Sequence, residues 1–316
     1  MVDPQRRVLR IGTRGSALAL WQARHVADLI AAPTELKIIT TSGDRFIDAS
    51  PTGRLEEGFF TKEIEDKLLA GEIDLAVHSL KDLPTRLSDG LALGAVSARA
   101  AVSDMLLVHP EWVDGAARLP VRAGGRVGAS SLRRQSMVRT FGEGLEPAQL
   151  RGNVPTRVEK CRRGEYAAVI VASAGIKRLD LDLSGLATFE LLPQVWIPAP
   201  GQAVLGVEIR EDDQEARGAV AAVDHAESRQ CARIERELLH RFEGGCHEAF
   251  GAWASREGPR LVVRLGHEDS LGRWRSVVVA GEDEARLTEA AFAELRREMS
   301  SEPRRSEAEA ICRRLF

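Results

Sequence analysis

The sequence predicts an α/β protein: two doubly wound lobes followed by a small α+β domain. Three observations point there. Apolar strand signals, Ser/Arg-bearing turns and helix signals alternate from Val8 onward, which implies a mainly parallel sheet flanked by helices. The same scheme recurs in a second stretch beginning near Gly125. Near Glu227 the texture changes to a charged amphipathic helix, a glycine loop and three short alternating strands.

Each element has a local cause. Val8–Ile11 is a short apolar strand, and Gly12–Ser16 a turn. Ala17–Ala32 carries Leu18, Trp21, Val26, Leu29 and Ile30 near helical period, with Ser16 placed to cap it. Leu36–Thr40 is the next strand, Phe60–Ala70 a helix, and Ile73–Val77 a strand that ends in His78-Ser79-Leu80-Lys81-Asp82. In the second half Gly125–Ala129 is a strand, Leu132–Thr140 a helix, and Gln149-Leu150-Arg151 a strand end. Gly152-Asn153-Val154-Pro155-Thr156-Arg157 opens another helix, with proline suited to its first turn, and Ala167–Val171 is a strand. Ser228–Phe242 is a helix, Ala249–Ser255, Arg260–Gly266 and Arg273–Val279 form a meander, and Ala285–Met299 is a helix.

The 316 residues carry 44 basic and 47 acidic side chains, a net charge of −3, which argues against a nucleic-acid partner. No apolar run reaches the roughly 18 residues of a membrane span, and the N-terminus lacks a signal-peptide core, so a cytoplasmic protein is expected. Four cysteines without CxxC spacing read as free thiols. Seven scattered histidines offer no metal-ligand spacing, so no metal is expected. All but six of the basic residues are arginine, the side chain suited to bidentate carboxylate recognition.

Ligands of doubly wound sheets sit beyond the carboxyl ends of the strands, and there the chemistry-bearing residues fall. Arg14 and Ser16 stand at a helix N-terminus, an anion-binding arrangement. Ser130-Ser131-Leu132-Arg133-Arg134 repeats it, and Arg151, Arg157 and Arg178 fall at expected strand ends or helix starts. Five arginines crowded at one edge repel unless an anion neutralises them. Lys81 and Asp82 place a carboxylate beside an ammonium, able to bind an N–H and pass protons. Two lobes of this kind facing each other would make a cleft lined by helix N-termini and cations. Gly244-Gly245-Cys246 puts a thiol on a pliant loop, a candidate for reactivity beside cations.

Seven segments together resemble the porphobilinogen deaminase (hydroxymethylbilane synthase) family. They are Ile11–Gln22, Ala76–Pro84, Ser130–Gln135, Leu150–Asn153, Ala174–Leu179, Pro200-Gly201-Gln202 and Glu243–Cys246, in the family's order. The resemblance implies two lobes like type II periplasmic binding proteins, over 1–98 with 200–220 and over 99–199, and a third domain over 221–316. It implies stepwise head-to-tail condensation of four porphobilinogens with release of ammonia, giving a linear tetrapyrrole on a covalent dipyrromethane primer. By motif, Cys246 would hold the dipyrromethane by a thioether, and Asp82 would contact pyrrole N–H groups and offset developing positive charge. Arg14, Ser16, Lys81, Ser131, Arg133, Arg134, Arg151, Arg157 and Arg178 would bind cofactor and substrate carboxylates, with Gln22, Ser79 and Gln202 in support. Glu56-Glu57-Gly58 departs from the family's common Gly-Lys-Gly. Family precedent implies a monomer. The alternative is a two-lobed binding protein for a small anion, without chemistry.

Overall fold

The computed structural model describes residues 7–42, 61–242 and 249–300. They form three sheets in two compact units, one comprising residues 1–100 and 201–233, the other 101–200 and 234–316.

In the first unit, strands β1 (Leu9–Thr13), β2 (Thr34–Ile38), β3 (Leu75–Ser79), β4 (Leu91–Val96) and β10 (Leu205–Arg210) make one sheet in the order β2-β1-β3-β10-β4. Four strands share a direction; β10 runs against both neighbours. Period-2 alternation divides the side chains between two covered faces. Leu9, Ile11, Leu75, Val77, Leu205 and Val207 pack against Ala23 and Val26 of α1 (Ala17–Leu29). On the other face Ala76 and Ile73 pack against Ile64 and Leu68 of α2 (Lys62–Leu69). At Gly12 in β1 a Cβ would press on the Ile73 side chain, which would have to shift.

The second unit repeats the scheme. Strands β5 (Asp104–Val108), β6 (Arg126–Ala129), β7 (Glu146–Gln149), β8 (Ala168–Ala172) and β9 (Ala187–Leu191) are ordered β7-β6-β8-β5-β9, with β5 the reversed strand. Helices α3 (Leu132–Phe141), α4 (Val154–Arg162) and α5 (Ser173–Leu179) follow its parallel strands. A meander of β11 (Phe250–Glu257), β12 (Arg260–Glu268) and β13 (Trp274–Gly281) completes the unit, backed by α8 (Glu284–Ser300). Between the sheets in sequence lie α6 (Gln214–Val220) and α7 (Ala226–Arg241). Two sheet-and-helix lobes and a small C-terminal sheet agree with the α/β class that the sequence predicts. Strands β4, β5, β9 and β10 carried no strand reading of their own.

One buried carboxylate ties the first lobe together. Asp74 has no solvent exposure and accepts from Arg10 Nε and Nη2, both at 2.9 Å, from Arg210 at 3.3 Å, and from Arg7. Burial alone would raise its pKa; the guanidiniums, led by Arg10, outweigh that and hold it at about 2, against an ordinary 3.8. A pKa lowered by folding means the charged form stabilises the fold above the ordinary range, and that this contribution fades as pH falls toward the folded value. Asp74→Asn is therefore expected to lose about 2 kcal/mol in urea unfolding at neutral pH, and much less than that near pH 2. An equal loss at both pH values would contradict this origin.

Candidate active site

The carboxyl ends of β1 and β3 build one pocket within the first unit. The chain leaves β1 through Arg14-Gly15-Ser16, where Ser16 caps α1 by accepting from Ala19 N at 3.3 Å. β3 ends at Ser79, whose hydroxyl accepts from Gln22 Nε2 at 2.9 Å, tying the helix to the strand end. The chain then makes a single 3-10 turn, Leu80–Asp82, pinned by Leu80 N donating to Val204 O at 2.9 Å. Gly201 fits against this turn at φ +69°, a left-handed conformation, and a Cβ there would lie 3.2 Å from Lys81 N. The segment 201–204 thus backs the turn, which delivers Asp82 to the pocket.

Arg14, Ser16, Gln22, Ser79 and Asp82 all line this pocket, with Leu18, Ile64 and Val77 as its apolar wall. Five predicted site residues are thereby brought together. Lys81 is half-buried next to them. Gln202 is fully buried beside Gly201, its backbone carbonyl accepting from Arg99 at 3.0 Å, and does not contribute to the wall. Thr61 and His78 also line the pocket and were not singled out from sequence. Nothing local marks Thr61, and the acid beside His78, Glu208, is remote in the chain.

In the second unit Ser131 caps α3, accepting from Arg134 N at 3.3 Å, and Ser130 accepts from Arg157 Nη1 at 2.8 Å. Arg157 also donates to Gly152 O at 2.7 Å, and Asn153 caps α4. Arg151 is half-buried. Arg178 corrects the sequence reading: it sits in the last turn of α5, not at a helix start or strand end. Burial pulls its pKa down to about 10, which leaves it a cation at neutral pH.

Arg133 and Arg134 correct the picture of five crowded, unpaired arginines. They are only 3% and 5% exposed, and both bind Asp104, at 2.8 Å and 2.6 Å. Trp196 Nε1 adds a bond to the same carboxylate at 3.1 Å. Burial would raise the Asp104 pKa, but Arg134 and Arg133 drive it far below the carboxylate range. One buried negative charge thus faces two positive ones, leaving a surplus of one that favours an anion nearby. Asp104 was the missing piece, and spacing along the chain could not reveal it.

Cys246 and the Glu56-Glu57-Gly58 segment lie outside the described residues. Cys161 and Cys231 are buried free thiols, and burial pushes Cys161 up to about 11. Among the described residues no group of three or more His, Cys, Asp or Glu is placed to hold a metal ion, and no helix is long and apolar enough to cross a membrane.

Fold and site define an α/β protein whose first lobe brings an arginine, two serine hydroxyls and one carboxylate together in a pocket at its strand ends. Residues 9–218 match the family model described as porphobilinogen deaminase, dipyromethane cofactor binding domain. The chain is 40% identical to the porphobilinogen deaminase of Syntrophomonas wolfei over 82% of this chain and 84% of that one. It is 38% identical to that of Chlorobium luteolum over 92% and 94%. A periplasmic binding protein of Salmonella typhimurium is 11% identical, covering 69% of this chain and 92% of that one with a TM-score of 0.39, too slight a likeness to argue from. The chain belongs to the porphobilinogen deaminase family. Membership does not favour the alternative of a binding protein without chemistry.

Proposed function

We propose that this chain is a hydroxymethylbilane synthase, condensing four porphobilinogens head to tail and releasing one ammonia per step. The observation that carries the reading is the pocket itself: Asp82 at the end of a backbone-pinned turn, within one cavity with Arg14, Ser16 and Ser79. Each porphobilinogen carries two carboxylates and a pyrrole N–H, and the pocket offers a partner of the right sign for each.

The dipyrromethane supplies the ring carbon onto which units are added. The surplus charge around Asp104 and the desolvated Arg178 cation suit a group rich in carboxylates. The residues divide the work. Asp82 accepts hydrogen bonds from pyrrole N–H groups and offsets the positive charge that develops as ammonia leaves. Arg14, Ser16, Lys81, Ser131, Arg151, Arg157 and Arg178 bind carboxylates and orient the rings. Arg133 and Arg134, committed in part to Asp104, add their field and their remaining N–H groups. Gln22 holds Ser79 in place, and Gln202 supports the turn from behind.

The primer is attached by a thioether to Cys246. Cys161, its thiol pushed up by burial, and the buried Cys231 make poor nucleophiles, which supports that assignment. The lobes proposed are 1–98 with 200–220, bearing Asp82, and 99–199, bearing the arginines, with 221–316 carrying the cysteine. The protein acts as a cytoplasmic monomer.

The test is the intact mass of the purified protein with a porphobilinogen-consumption assay. The mass is expected to exceed the sequence mass by a two-pyrrole adduct that Cys246→Ser removes together with turnover. An unmodified, folded and active protein would refute the attachment.

A further inference from the structure

Beneath the pocket lies a polar pair that the mechanism above leaves unused. Glu208 is on β10 with no solvent exposure, and neither of its carboxylate oxygens makes a well-aligned hydrogen bond. Its ionic partner is His78, whose Nε2 stands 3.2 Å from Oε2, off the line of the ring N–H. The register explains the meeting. β10 runs antiparallel to β3 with Gly206 opposite His78 and Glu208 opposite Ala76, so His78 and Glu208 are diagonal neighbours on one sheet face. A side chain at Gly206 would meet Leu80, Leu93 and Leu83, so the glycine lets these leucines pack close to the strand there.

Burying a carboxylate with so little compensation is costly, and native folds tolerate such groups mainly where function needs them. The place fits: His78 lines the same pocket as Asp82, four positions before it. A histidine with one ring nitrogen held by a carboxylate has its tautomer and orientation fixed, and presents the other nitrogen in a single protonation form.

We propose that His78 is a ligand-contacting residue of the pocket and Glu208 its positioning residue. Glu208 holds Nε2–H, which leaves Nδ1 as the polar atom of the ring available to the bound pyrrole chain. The proposal rests on the reading of the pocket as the deaminase site. Glu208 makes no bond change itself; it acts through the imidazole.

The experiment uses the full chain carrying its primer. In Glu208→Gln the amide at that position can donate as well as accept, so the tautomer is no longer fixed. Porphobilinogen turnover is expected to fall roughly 10- to 100-fold in kcat with KM changed less than about twofold, while adduct mass and melting temperature hold. Imidazole ¹⁵N spectra, with His78 assigned by its own deletion, are expected to show a fixed Nε2–H form in the parent and mixed tautomers in Glu208→Gln. Unchanged kcat with an unchanged ¹⁵N pattern overturns the proposal. Should Glu208→Gln fail to fold, His78→Gln serves instead, since it keeps an N–H for Glu208 but removes the second ring nitrogen. A folded His78→Gln variant with the parent's kcat overturns the proposal, and a loss like that expected above supports it. If the parent itself consumes no porphobilinogen, the deaminase reading fails, and the ¹⁵N comparison still decides whether Glu208 fixes the His78 ring.

Discussion

Asp82→Asn is expected to keep the fold and the primer and to lose turnover by a factor of about 10²–10⁴. The substitution is nearly isosteric and exposed, and the 3-10 turn that bears it is held by backbone contacts from Val204 and Gly201 rather than by the carboxylate. Stability should therefore move by no more than about 0.5 kcal/mol. An amide still meets a pyrrole N–H through its oxygen, but it carries no charge to offset the cation formed as ammonia departs. The loss should thus fall on kcat more than on KM, because it concerns an interaction that strengthens in the transition state. The decisive comparison is ammonia release per primer-loaded molecule, with loading read by intact mass. Parent-like rates would remove Asp82 from the mechanism.

The largest stability effect is expected at Asp104. Its carboxylate is fully buried and binds Arg133, Arg134 and Trp196 at once. Asp104→Ala leaves two guanidiniums buried without their counter-charge, which costs about 3–5 kcal/mol. Arg134→Ala should cost less than Asp104→Ala, because a one-to-one pair of Asp104 and Arg133 remains. Urea unfolding of both variants at neutral pH tests the order. A milder effect of Asp104→Ala than of Arg134→Ala would show that the carboxylate is not the keystone of the cluster.

The contrast between these residues shows what a chain discloses on its own. Asp82, Ser79 and Lys81 were readable because a buried strand delivers them to a sheet end within a few positions, and local order is what sequence displays best. Ser16, Ser131 and Asn153 were legible or nearly so for the same reason: a cap acts within one helical turn. Asp104 was not readable, because its arginines lie on a helix that follows a different strand. Glu208 was hidden more deeply, since β10 joins a sheet whose other strands all precede residue 97. Arg178 was misplaced because the helix α5 was not delimited, and a residue in its last turn was read as belonging to its start. Pairings across sheets depend on strand order, and periodicity carries no strand order.

That late arrival of β10 has a consequence for how the molecule is made. The first sheet needs Leu205–Arg210 between β3 and β4, whereas every strand of the second sheet lies within residues 104–191. As the chain emerges from the ribosome, the second sheet has all its strands first, while β3 and β4 wait with unpaired edges for a partner still unmade. Of the two five-stranded sheets, the one begun first is completed last, and its loop closure spans more than a hundred residues, the kind of long-range pairing that slows folding and exposes edges to aggregation.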